Sequence, residues 1–216
     1  MGIHQPCRLD RIRAVSDATV TERTPREAEL CRIIEADPDI AALLAAMRTF
    51  EAPDLWLVSG ALFQTVWNVL EGKPRGHGIL DSDLFYFDPD TSEEAEDRWI
   101  KRAAAHFAFA PREVQLRNQA RVHLWYPKKF DIPYPQLHCS CDGIDQFLMP
   151  ACMIGIRPML EGGIEIYAPL GLDDIFDRLI RPNPLWQGPP RPRYLEKAAR
   201  YMQDWPAVRF APEVAA

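Results

Sequence analysis

Basic tracts are missing from this chain. Its 25 lysines and arginines are outnumbered by 31 aspartates and glutamates, and the net charge of −6 is spread along the sequence instead of blocked. A surface that neutralises duplex phosphates needs clustered Lys and Arg, so duplex nucleic acid is not the expected main partner. Long apolar runs are missing too. Residues 1–20 lack the apolar segment of a signal peptide, and no stretch approaches the ~18 apolar residues of a membrane span. A cytoplasmic protein with no membrane partner is expected. Cysteine is scarce: Cys7, Cys31, Cys139, Cys141 and Cys152 are an odd count in a chain large enough to fold without staples, and reduced thiols are expected. His138-Cys139-Ser140-Cys141 lacks the second ligand pair that structural zinc uses. The chain has no Walker loop, Gly-x-Gly-x-x-Gly, His-Glu-x-x-His, nucleophile elbow or internal repeat, so the chemistries those motifs carry are set aside.

Proline, by contrast, is abundant. Its 20 copies in 216 residues are roughly twice the usual ~5 %, and 13 of them follow residue 126. Long helices in the second half are thereby excluded. The apolar share of 47 % is enough to fill a core. Residues 1–23 show no periodicity and are expected to form a loose arm. Residues 24–126 should make the core with a helical pair at its start, and the proline-rich residues 127–216 should complete the same domain.

Thr24-Pro25-Arg26-Glu27 combines an N-cap threonine, a proline at the first helical position and a glutamate able to close a capping box, which predicts a helix to about Glu35. Asp37-Pro38 starts a second, whose Ile40, Leu43, Leu44 and Met47 keep the spacing of a buried stripe. Leu55 to Gly60 is a short apolar run ending in small residues and predicts a buried strand. Helical periodicity follows from Ala61 to Leu70. Gly72 to Gly78 must be a loop. A second strand is predicted over Ile79–Asp88, a helix through Ala95, Trp99, Ala103 and Phe107, and a third strand over Glu113–Arg117. Beyond Pro127 come a small helix at Cys141–Leu148, a hairpin of Cys152–Met159 with Ile164–Ala168, a short helix at Leu172–Leu179, a linker at Arg181–Pro192, and a last helix at Arg193–Asp204.

Asp81-Ser82-Asp83 is the strongest chemical signal. Residues i and i+2 of a strand point to one face, so both carboxylates project together. Two adjacent carboxylates repel unless a cation lies between them, and hard oxygen ligands supplemented by phosphate oxygens are how Mg²⁺ is usually held. Phe85 and Phe87 continue that face, and acids beside a covered face need partners. Ser59-Gly60 puts a small side chain and a flexible backbone at a helix N-terminus, where free N–H groups favour phosphate. The two features together make a phosphate end and a metal end. Arg117, Asn118, Arg121 and His123 form a polar cluster nearby; arginine suits phosphate, although ion pairing with acidic surface is an equal alternative. Asp173-Asp174 reads as an acidic pair at a helix start.

The order strand, small-Gly, helix, loop, Asp-x-Asp strand resembles the nucleotidyltransferase superfamily of the DNA polymerase beta type. More closely, WLVSGALFQTVWNVLEG, LDSDLFYFD, LRNQARVHLWY and APLGLDDIF resemble a bacterial nucleotidyltransferase-like family first described as a domain of unknown function. The similarity runs from about Asp54 to Trp205. It implies an α+β fold, with a small mixed β-sheet and helices packed on one side, and metal-dependent transfer of a nucleoside monophosphate from an NTP, ATP in the simplest case, to an acceptor it does not identify. By position, Ser59 and Gly60 fall on the phosphate-binding pair, and Asp81 and Asp83 on the first two metal carboxylates, for Mg²⁺ or Mn²⁺. The third carboxylate should stand just before Arg117. This chain has Gln115 there, which cannot take a proton, with Glu113 two residues earlier on the same face. Either Glu113 substitutes, or the acceptor is activated otherwise, or the chain is a nucleotide-sensing or protein-binding module of the same fold. A metal-dependent phosphohydrolase is the third reading.

Overall fold

The computed structural model describes residues 23–186 and 193–211 of the chain. The first residues of the expected arm, and Gln187 to Pro192 of the expected linker, lie outside them. Two N-terminal helices, α1 (Pro25–Ala36) and α2 (Pro38–Phe50), start where the caps place them. Thr24 and Glu27 close a reciprocal capping box, and the Asp37 carboxylate accepts from the amides of Asp39 and Ile40. Thr24→Ala removes half of that box and should lower stability by about 1 kcal/mol, read as a shifted denaturant midpoint with an unchanged slope.

Strand β1 (Trp56–Val58) runs into α3 (Gly60–Leu70), and β2 (Ser82–Tyr86) is followed by α4 (Glu93–His106) and β3 (Val114–Asn118). A single 3-10 turn (Gln119–Arg121) leads into α5 (Val122–Phe130). The sequence pattern missed α5, because Pro127 lies inside it. In this short helix that proline forfeits one backbone bond, and the helix runs on for three more residues. Then come α6 (Ser140–Ile144), β4 (Gly155–Pro158), β5 (Ile164–Tyr167), α7 (Asp173–Phe176), β6 (Leu179–Ile180), α8 (Arg193–Asp204) and β7 (Arg209–Phe210). The β6–β7 pair was also missed; two residues per strand carry no periodicity.

The main sheet has the order β3-β2-β1-β4-β5. Its β2–β3 pair is parallel and the others are antiparallel, as a mixed sheet requires. Because β4 pairs with β1, the proline-rich half contributes two of the five strands. Register separates the two faces. Ile156, Leu57, Leu84 and Leu116 form one row across four strands, packed with Tyr86 against the N-terminal helices and α3 in the main core. The opposite face carries Val58, Asp83 and Gln115 in one row and Trp56, Phe85 and Arg117 in the next. Helices therefore dominate one side, as expected, but the second face is not bare. The segment holding α6 covers Trp56 and Val58 through Cys141 and Ile144.

Helix α8 docks through Trp205. That indole is fully buried, donates to Asn68 Oδ1 at 2.8 Å and meets the Trp67 ring edge-on at 5.4 Å. Gly78, at φ +70°, passes so close that a Cβ there would lie 2.3 Å from the indole. The thiols of Cys31, Cys141 and Cys152 are free and buried, whereas Cys139 is disulfide-bonded, which corrects the expectation of five reduced thiols. No helix among the described residues is long and apolar enough to cross a membrane.

Candidate active site

Antiparallel pairing of β1 with β2 sets Val58 opposite Asp83. The chain leaving β1 therefore enters α3 beside the segment where β2 begins. Ser59 turns that corner with φ 55° and ψ −114°, a conformation glycine adopts more readily. Its amide donates to the Ile154 carbonyl at 2.9 Å, and its carbonyl accepts from Leu62 and Phe63. The hydroxyl lies within hydrogen-bond reach of the Cys152 thiol, which burial pushes up to about 11. The Ser59 side chain is thus engaged inside the fold, and with the Leu62 and Phe63 amides bonded to the Ser59 carbonyl, the amides of Gly60 and Ala61, the first two of α3, are what this corner presents. Gln64, buried on that turn, would sit 3.2 Å from a Cβ at Gly60.

Asp83 lies within β2 and Asp81 immediately before its first residue, so the pair begins at the strand end instead of mid-strand. The Asp83 carboxyl is raised to about 6, first by burial and then by the charge of Asp81, while Lys197 and Arg117 pull it down. Gln115 stands in register with Asp83 on β3. Its amide Nε2 donates to Asp81 Oδ2 at 3.2 Å and to Glu113 Oε2 at 3.4 Å, and its Oε1 accepts from Arg117 Nη2 at 3.3 Å. The structure thus brings Asp81, Asp83, Glu113, Gln115 and Arg117 together.

Other expected members go elsewhere. Strand alternation turns Asn118 to the Tyr86 face, where its side chain latches the loop after β2: it accepts from the Asp88 amide at 3.1 Å and donates to the Asp88 carbonyl at 2.9 Å. Arg121 Nη1 is paired with Glu96 Oε2 of α4 at 2.5 Å, the ion-pairing alternative. His123 sits on α5 with its Nδ1 buried and unbonded, and no contact among the described residues ties it to the carboxylates. Asp173 and Asp174 pair with Arg26 and Arg181.

The sequence reading placed α8 at its observed bounds but did not connect it with the site. Its Arg193, Lys197 and Arg200 recur at i, i+4 and i+7, hence on one helix face. Lys197 acts on both Asp83 and the Cys152 thiol beside Ser59, so it lies over the carboxylate end of the cleft. Arg200 also acts on Cys152, and its Nε is buried without a hydrogen-bond partner. That basic spacing was visible in the sequence; the face it serves was not. Beyond Phe85 the cleft widens into a pocket of about 230 Å³, walled by aromatic rings together with Arg117, Arg193 and Lys197.

Among the described residues no group of three or more His, Cys, Asp or Glu is assembled to hold an ion. Asp81 and Asp83 are a two-carboxylate set, sufficient for a hard cation that keeps water or phosphate oxygens. The sequence matches the model of a nucleotidyltransferase family over residues 45–210. Among solved structures the chain is similar to one described as an NMR structure that reveals a CCA-adding enzyme head domain, with a TM-score of 0.67 and 25% identity over 86% of this chain and 96% of that one. No curated protein matches it.

Proposed function

The chain belongs to the nucleotidyltransferase family, and we propose that it moves a nucleoside monophosphate, most simply AMP from ATP, to a small-molecule or protein acceptor with Mg²⁺ or Mn²⁺. One observation carries this reading: the Asp81–Asp83 pair stands beside the Gly60 corner, with Asp83 raised to about 6 by burial and by its acidic neighbour. Among the described residues nothing donates a hydrogen bond to the Asp83 carboxylate. A half-buried, crowded carboxylate with no hydrogen-bond donor among the described residues fits a divalent cation, which would relieve the repulsion and, when bound, neutralise charge on the α-phosphate and the leaving pyrophosphate.

The chain's own groups take the rest. In this reading the Gly60 and Ala61 amides and the Arg200 guanidinium would meet the terminal phosphates, and Lys197 the charge near the reacting phosphorus. Glu113 is the carboxylate left to accept the acceptor's proton, since Gln115 cannot. A nucleotide-sensing or protein-binding module is the second reading, favoured by Gln115, which fills the register position opposite Asp83 with a neutral amide.

The two separate on incubation with α-labelled ATP and a metabolite extract. Label transfer and pyrophosphate release that stop on chelation of divalent ions are expected, whereas binding without either supports the module. Metal-supported ATP binding should strengthen as pH rises through about 6, where Asp83 ionises, and level off above. A profile flat between pH 5 and 8 would remove Asp83 from the metal site.

A further inference from the structure

The pocket beyond Phe85 has a composition of its own. Phe85 and Phe147 stack in one wall, with centroids 5.5 Å apart and planes 19° off parallel. Trp125 of α5 contributes another ring, and the cations Arg117, Arg193 and Lys197 stand around the space, which no carboxylate among the described residues lines. Ring faces hold planar groups by stacking, and guanidinium and ammonium groups hold anions. We infer that this pocket is the acceptor site and that it takes a small molecule made of a planar aromatic ring with an anionic substituent.

Its place in the cleft supplies the rest of the argument, which rests on the nucleotidyl-transfer reading above. Register orders the features along the sheet: the Gly60 corner lies beyond Val58 and Asp83, and Trp56 and Phe85 lie on the other side. Asp83 and Phe85 are two residues apart on one face, hence about 7 Å. Phosphoryl-type displacement keeps the entering and leaving oxygens roughly in line. If pyrophosphate leaves toward the Gly60 corner, the attacking oxygen enters from the Phe85 side. In that step the acceptor O–P bond forms, the bond from the α-phosphorus to the bridging oxygen breaks, the electron pair leaves with pyrophosphate, and the acceptor proton passes by way of solvent to Glu113, which stands at the Asp81 end of the carboxylate row. The pocket volume suits one ring system, and a net charge of −6 disfavours a phosphodiester strand.

The test is calorimetric, on the full chain, with 1-naphthyl phosphate as probe and inorganic phosphate, 1-naphthol and a single-stranded hexa-adenylate as comparisons. Each is titrated with and without saturating Mg²⁺ and α,β-methylene-ATP. Naphthyl phosphate should bind at least ~10-fold tighter than phosphate or naphthol, a stacking-sized increment, and should do so equally with the ATP analogue bound. Trp125→Ala and Arg193→Gln should each weaken it about 10-fold while leaving the ATP analogue within twofold. Displacement of the probe by the analogue, or weaker analogue binding in Trp125→Ala, would make this the nucleobase pocket and overturn the proposal. Tighter binding of the hexa-adenylate, or no probe binding while the analogue binds normally, would overturn the pocket assignment alone. Failure of the analogue to bind wild type would overturn the transfer reading and the acceptor site with it.

Discussion

Asp83→Asn is expected to abolish nucleotidyl transfer and, in the same protein, to raise the stability of the ligand-free fold. The loss should be at least ~100-fold in kcat/KM, because the charge stabilisation supplied at a metal site is several kcal/mol and each 1.36 kcal/mol is tenfold. The gain follows from the direction of the pKa shift. Burial, then the Asp81 charge, raise the Asp83 carboxyl from 3.8 to about 6. Between those values the folded state binds more protons than the unfolded state, so stability falls as pH rises from about 4 to about 6 and is flat above. At neutral pH the wild-type chain has lost that increment. Asparagine keeps the shape without the charge and should recover part of it, visible as a higher melting temperature at pH 7 that converges on wild type near pH 4. A variant that loses activity and stability together would instead mark Asp83 as structural.

Trp205→Ala should be the most damaging substitution outside the cleft. Large-to-alanine changes at buried aromatic sites remove about 3–5 kcal/mol, and this one also strips Asn68 Oδ1 of its donor. The consequence reaches function because Trp205 directly follows α8, the helix that bears Lys197 and Arg200. With that anchor gone, ATP affinity should fall at temperatures where the sheet is still folded. Circular dichroism at 10 °C together with ATP titration would show it. Unchanged affinity in a folded Trp205→Ala protein would mean that α8 keeps its place without the anchor and through other contacts.

Local signals carried most of the fold. The capping box at Thr24, the Asp37-Pro38 start and the last helix at Arg193–Asp204 were readable because caps and period act within a few residues. Asp81 and Asp83 were readable for the same reason, since alternation along one strand needs no partner. Strand alternation alone also separates Arg117 from Asn118, a distinction the polar cluster RNQARVH concealed. Arg121 was misplaced for a different reason: its partner, Glu96, is 25 residues away on another element.

Composition, caps and periodicity settled most of the element order, the acidic character and the carboxylate pair, all of which are properties of neighbours in the chain. Strand register and helix docking settled what stands around that pair: the amide of Gln115 between Asp81 and Glu113, the Ser59 hydroxyl turned inward to Cys152, and Lys197 brought from α8 over Asp83. The physical reason is range. Backbone preference and side-chain period decide over one or two turns, whereas burial and Coulomb interactions act between residues far apart in the chain, 114 positions in the case of Asp83 and Lys197.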